Sequence, residues 1–147
     1  MISENHHIAH RNVVSKYYRF LPGDVTAAFE DLDTILRKHN YHTNGNLFFS
    51  IISDPTDEVM TAEIFVTIDE DHFAIDTDEQ MFFRSYFSVY PMIMTRITEN
   101  VEELSQVKYW ELLNYIKKHG MKQRTPVFVE YKQSYFGKSY IEISVGI

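Results

Sequence analysis

Glu63-Ile64-Phe65-Val66-Thr67-Ile68 returns near the C-terminus as Glu142-Ile143-Ser144-Val145-Gly146-Ile147. Both runs alternate, so each reads as a strand with aliphatic residues on one face and a glutamate leading the other. The likeness extends outward from these strands. Under a shift of 80 positions, Lys38-His39 falls on Lys118-His119, Leu32 on Leu112, and Phe29 on Tyr109. Leu36 likewise falls on Ile116, Phe48 on Phe128, and Val13-Val14 on Ile93-Met94, with one residue lost in the last hairpin. The chain therefore reads as two copies of a strand–helix–strand–strand unit. Copies this long and this few do not make a solenoid. Two of them are expected to join one mainly antiparallel sheet, with both helices on one face.

The copies span about 11–68 and about 81–147, joined by an acidic connector over about 69–80. At 147 residues the chain suits one α+β domain, 1–147. In the first copy, Asn12 to Phe20 reads as a strand. Asp24 is a candidate N-cap, and Phe29, Leu32, Ile35 and Leu36 recur at helical spacing. Strands follow at Leu47 to Ile52 and Glu58 to Ile68. In the second copy, Pro91 is expected to divide a strand at Met81 to Val89 from another at Met92 to Ile97. Asn100 is a candidate cap. Leu104, Val107, Tyr109, Leu112, Tyr115 and Ile116 form the second apolar stripe, and Gly120 ends it. Strands at Pro126 to Tyr131 and Ser139 to Ile147 complete an expected sheet of about eight. Residues 1–10 are polar and read as a loose start.

Composition narrows the chemistry. The chain has no cysteine, which removes disulfides and thiolate sites. Its net charge of −7 disfavours direct contact with nucleic-acid phosphates. No stretch approaches membrane-spanning length and no secretory leader is evident, so a cytoplasmic protein is expected. Ten Tyr and eleven Phe are a high share that favours a packed sheet, and a surplus could also line a pocket. Nucleophile elbows, phosphate-cradling glycine loops, HExxH and dinucleotide fingerprints are absent, so no catalytic residue, cofactor or enzyme activity is expected. His6 and His10 could grip a metal only on a helix, and no carboxylate completes the pattern, so no metal is expected. Asp69-Glu70-Asp71 and Asp76-Thr77-Asp78-Glu79 lack the Gly and distal Glu of a calcium loop and read as solvated turns.

The tandem arrangement, with Tyr140-Ile141-Glu142-Ile143-Ser144-Val145-Gly146-Ile147 as last strand, resembles the gyrase-inhibitor-like (GyrI-like) effector-binding domains of bacteria. The resemblance covers about Asn12 to Ile147. Gly146 stands where that family often has Pro, and the family's Gly before the second helix is missing around Glu99 to Glu102. The resemblance implies a stand-alone effector-binding domain, related to transcription regulators, with Glu142 contacting cationic ligands. The chain is also similar to free-standing Firmicute proteins, a few of them encoded near secreted toxins.

The function expected is non-catalytic binding of a small hydrophobic or cationic molecule in the cleft between the copies. The candidate ligand-binding residues are Glu142, Tyr140, Tyr131, Trp110, Phe128 and Tyr86, with Glu63 as the weaker repeat mate of Glu142. A carboxylate among rings would hold a cation by charge and by cation–π attraction. Against this stands a solvated strand glutamate, paired with Lys132 or Lys138, and rings that simply pack. The alternative function is a protein-interaction module or inhibitor, belonging to a toxin-associated gene set. Partners are thus a small molecule or a protein, with the chain as monomer or homodimer.

Overall fold

The computed structural model describes residues 1–75 and 79–147; the acidic run at Asp76-Thr77-Asp78 lies outside the described residues. The elements run β1 (Ile2–Phe20), α1 (Val25–Lys38), β2 (Thr43–Ile51), β3 (Met60–Ile68), β4 (Met81–Ile97), α2 (Val101–Lys118), β5 (Val127–Gln133) and β6 (Ser139–Gly146). The architecture is α+β, with six strands and two α-helices among the described residues. Two compact units divide it. The first is Ala9–Phe87; the second joins Met1–Ile8 to Ser88–Ile147.

Among the described residues there are six strands rather than the expected eight or so, and two segments differ from the expectation. Pro91 does not break β4, although it follows a cis Tyr90–Pro91 peptide bond. Proline withholds an N–H but keeps its carbonyl, and that carbonyl accepts Ile147 N–H at 3.0 Å. The polar N-terminus is also not loose, because it forms the start of β1. Ile8 is 1% exposed, and Asn5 and Asn12 take the left-handed conformation that asparagine tolerates, at φ 63° and 56°.

In the first unit the strand order is β1–β3–β2, all antiparallel, with Tyr17 opposite Glu63 and Phe48 opposite Phe65. Alternation then sorts the side chains. Ile64, Val66 and Phe49 face α1, which buries Ala28, Leu32, Ile35 and Leu36. Ser15, Tyr17, Phe48, Ser50, Glu63 and Phe65 share the far face. In the second unit the order is β5–β6–β4, with Arg96 and Glu130 both opposite Glu142. Here Ile141, Ile143 and Val145 lie under α2. That helix buries Leu112 and Ile116, while Val107, expected in its stripe, is half exposed.

Neither predicted N-cap side chain caps its helix. Asp24 closes a 3₁₀ turn through its backbone, and Asn100 serves as a left-handed residue at φ 54°. Gly120 ends α2 as expected, and Asn40 ends α1 in the same way. Asn40 and Gly120 take φ 64° and 63°, and the next N–H bonds back to Leu36 and Ile116 carbonyls at 2.9 and 3.0 Å. Gly146 also has a local cause. A Cβ there would lie 2.7 Å from Thr125 Cγ2, and its N–H donates to Thr125 Oγ1, a bond proline could not make. No helix among the described residues is long and apolar enough to cross a membrane.

Candidate functional site

Each unit places a buried glutamate on the sheet face away from its helix. In the first unit, Glu63 is 6% exposed. Its Oε2 accepts from Ser15 Oγ at 2.6 Å and from Arg84 Nη1 at 3.2 Å, and Arg84 Nη1 also donates to Ser15 at 3.0 Å. The Arg84 guanidinium lies 5.6 Å from the Phe65 ring centroid and 5.8 Å from that of Phe87. Phe48 stacks on Phe65 at 4.6 Å, and both rings also approach Phe87. At the rim, Tyr17 meets Phe82 edge to face. Burial first, and then the Glu63 carboxylate beside it, raise the Tyr17 phenol pKa. The result is a cation seated on a carboxylate and faced by rings.

The second unit builds something more polar. Glu142 is 4% exposed, and its Oε2 accepts from Arg96 Nη2 at 2.6 Å and Nε at 3.1 Å. Those hydrogen bonds outweigh desolvation and hold the Arg96 guanidinium above its ordinary pKa. Arg96 also lies over the Tyr140 ring at 4.8 Å. Glu130, directly across the ladder, is 3% exposed; its Oε1 is 3.0 Å from His6 Nε2 and its Oε2 is 3.2 Å from Lys132. Burial pushes the Glu130 carboxyl up, but the His6 hydrogen bond and the Lys132 charge outweigh it and leave its pKa lowered.

The residues singled out from the sequence thus separate. Glu142, Tyr140 and Phe128 share one face of the second unit. Tyr131 pairs with Ile141 and faces the α2 side, so it cannot line a site at Glu142. Trp110 sits on α2, above that opposite face, and is 41% exposed. Tyr86 belongs to the first unit and is exposed. Tyr131 is one residue on from Glu130, which stands opposite Glu142, and the strand's period of two turns it to the other face. Glu142 is not the solvated glutamate of the competing reading; Arg96 holds it, with Lys132 at 4.0 Å.

Arg84, Arg96, Ser15 and Glu130 were not foreseen, and His6 was weighed only as a helical metal ligand beside His10. Of these, Glu130 was legible, since Phe128 and Glu130 alternate on β5 just as Phe48 and Ser50 do on β2. Arg84 comes from a strand segment distant in sequence and no local pattern marks it, while His6 lies on a strand and meets Glu130.

A concave feature lies on the helix side of the first unit. It is a groove of about 340 Å³ lined by Phe29, Glu30, Asp33, Leu47 and Val66, among others. Its carboxylates are a weak cation trap, because Glu30 is exposed and Asp33 is paired with Arg37.

Residues 9–147 match the family described as Domain of unknown function (DUF5085), and the chain belongs to that family. No curated protein matches it. Among solved structures, the chain is similar to the EcmrR–DNA complex determined by cryo-EM, with a TM-score of 0.73 at 11% identity. That likeness covers 99% of this chain but 56% of the other, so this chain spans little more than half of EcmrR. It is also similar to SAV2435 bound to tetraphenylphosphonium, with a TM-score of 0.53 at 13% identity over 99% of this chain and 91% of that one. At these identities the likenesses show a shared fold.

Proposed function

We propose that this chain binds a lipophilic organic cation on the far face of its first unit, with Glu63 as the anchoring carboxylate. One observation carries the reading: Arg84 already sits there as a tethered cation, held by Glu63 and Ser15 and faced by Phe65 and Phe87. A site that seats a guanidinium against rings has the chemistry for a free aromatic cation, which gains charge pairing and cation–π attraction together. Arg84 is 38% exposed at its side chain and can swing toward water to make room. SAV2435, whose fold is similar, was solved with tetraphenylphosphonium bound, a cation of this class.

Glu142, favoured on sequence grounds, is the lesser anchor in this reading, because Arg96 meets one ring, Tyr140. The two-copy organisation belongs to the same proposal. It is supported by the matching element order, the paired Asn40 and Gly120 caps, and a buried glutamate–arginine pair in each unit. So do the single-domain assignment, a role without catalysis, and action in the cytoplasm as monomer or homodimer.

Titration calorimetry with tetraphenylphosphonium tests the proposal. Glu63→Gln keeps the shape and removes the charge, and should weaken binding by about 1–3 kcal/mol. Equal affinity in wild type and Glu63→Gln overturns the seat. A loss confined to Glu142→Gln moves the anchor to the second unit.

The interaction-module reading has one observation in its favour. Tyr135 and Phe136, at the β5–β6 turn, are 98% and 93% exposed. If no organic cation binds, that aromatic tip is the place to seek a protein partner.

A further inference from the structure

The second unit gathers groups that the cation-binding reading leaves unused. His6 Nε2, a Glu130 carboxylate oxygen and a Glu142 carboxylate oxygen all lie within 4.8 Å of one another. The three come from β1, β5 and β6, so only the folded sheet assembles them. Glu130 and Glu142 stand directly opposite on neighbouring antiparallel strands, both nearly fully buried. Like charges in that position repel, and burial removes the water that would screen them. A cation between them would relieve that repulsion.

The resident donors satisfy the pair incompletely. Arg96 takes Glu142 Oε2, and His6 and Lys132 meet opposite oxygens of Glu130. Glu142 Oε1 is met by Lys132 at 4.0 Å, beyond hydrogen-bonding distance. An independent sign lies one step along β6. Ser144 Oγ projects from the same face as Glu142, is fully buried, and has no hydrogen-bond partner among the described residues. Buried hydroxyls are rarely left so. A metal-bound water on this face would supply the missing partner.

We propose that His6, Glu130 and Glu142 form a divalent-metal site that takes zinc or a similar first-row ion. One imidazole nitrogen and two carboxylate oxygens make a three-ligand set that leaves a fourth position to water. Ligand atoms on a tetrahedral zinc lie about 3.4 Å apart, given bonds of about 2.0–2.2 Å. The His6–Glu130 spacing of 3.0 Å is already close to that, and Glu142 has to move by about an ångström. Imidazole among the ligands selects against calcium and magnesium, which take oxygen sets. Lys132, whose side chain is 36% exposed, is the tethered cation that the ion displaces into water, while Arg96 keeps its hold on the other Glu142 oxygen. The inference stands apart from the Glu63 seat, which uses none of these residues.

The test is titration of the chelator-stripped full chain with zinc chloride, followed by calorimetry and thermal melting. Wild type should bind one zinc, and zinc at a hundred times its Kd should raise the Tm by about 5–10 °C. Outer-sphere changes at metal sites cost about 10–100-fold in affinity, so His6→Ala and Glu130→Gln, each removing a ligand, should cost about 100-fold or more. Glu130→Gln also relieves the repulsion with Glu142, so it should stay folded by circular dichroism even if His6→Ala does not. Replacing zinc with cobalt should give wild type a visible absorption band that Glu130→Gln lacks. His72→Ala, an exposed histidine elsewhere, should bind zinc like wild type. Absence of binding in wild type overturns the proposal. So does full affinity in Glu130→Gln, which would place the ion on surface histidines.

Discussion

Arg84→Met separates the worth of the internal cation from that of an incoming one. Methionine keeps the unbranched stem against Phe65 and Phe87 and deletes the guanidinium. What disappears is one Nη1 shared between Glu63 at 3.2 Å and Ser15 at 3.0 Å, and two ring contacts beyond 5.5 Å. A hydrogen bond to a charged group contributes about 1.5–3 kcal/mol, and an exposed cation–π contact about 0.5–1 kcal/mol. The 3.2 Å spacing is long for an ionic pair, and water screens a guanidinium that is 38% exposed. The net worth is therefore about 1–2 kcal/mol. Urea denaturation of the apo protein should show that loss.

Because a ligand at Glu63 has to displace Arg84, the same amount should reappear as affinity. Tetraphenylphosphonium should bind Arg84→Met about 5–30-fold more tightly than wild type, measured by calorimetry. Adding Glu63→Gln should remove the gain, since no carboxylate would then await a cation. The directions are opposite: less stable alone, tighter with ligand. Binding to Arg84→Met that is no tighter than to wild type would refute the idea that Arg84 and the ligand compete for one seat.

Two further outcomes follow from packing and charge. Leu112→Ala empties a fully buried position of α2 above β6, and should cost about 2–5 kcal/mol in urea denaturation, whereas Val107→Ala on the exposed side should stay within about 0.5 kcal/mol. His42 is raised above its ordinary pKa by its hydrogen bond to Glu70, and Glu70 is lowered by the same bond. The His42 contribution is fully present below its unfolded pKa and is lost as pH rises through the raised one. The Glu70 contribution is lost as pH falls through the lowered one. The pair therefore works between those two values, and NMR titration of Glu70→Gln should show the His42 midpoint falling back.

Local pattern determined much of this protein. Alternation in Glu63–Ile68 and Glu142–Ile147 told which side chains face the helices, because a strand's period of two allows no other sorting once one face is apolar. Helical spacing marked Leu32, Leu36, Leu112 and Ile116 as buried, and all four are. Asn40 and Gly120 ended their helices for a reason confined to one residue's backbone. Where the reading depended on a residue alone, it erred: Pro91 and the polar N-terminus looked like breaks, yet both lie in strands that tertiary pairing extends.

Tertiary structure alone decided which charges meet. Glu63 lies 21 residues from Arg84 and Glu130 lies 124 from His6. No periodicity relates such positions; they meet because β-strand register sets side chains from remote segments on one buried face. The same register sent Tyr131 to the opposite side and gathered the rings at Glu63 rather than Glu142. A strand's own sequence says which face a residue takes, and only its neighbours in the ladder say what it will find there.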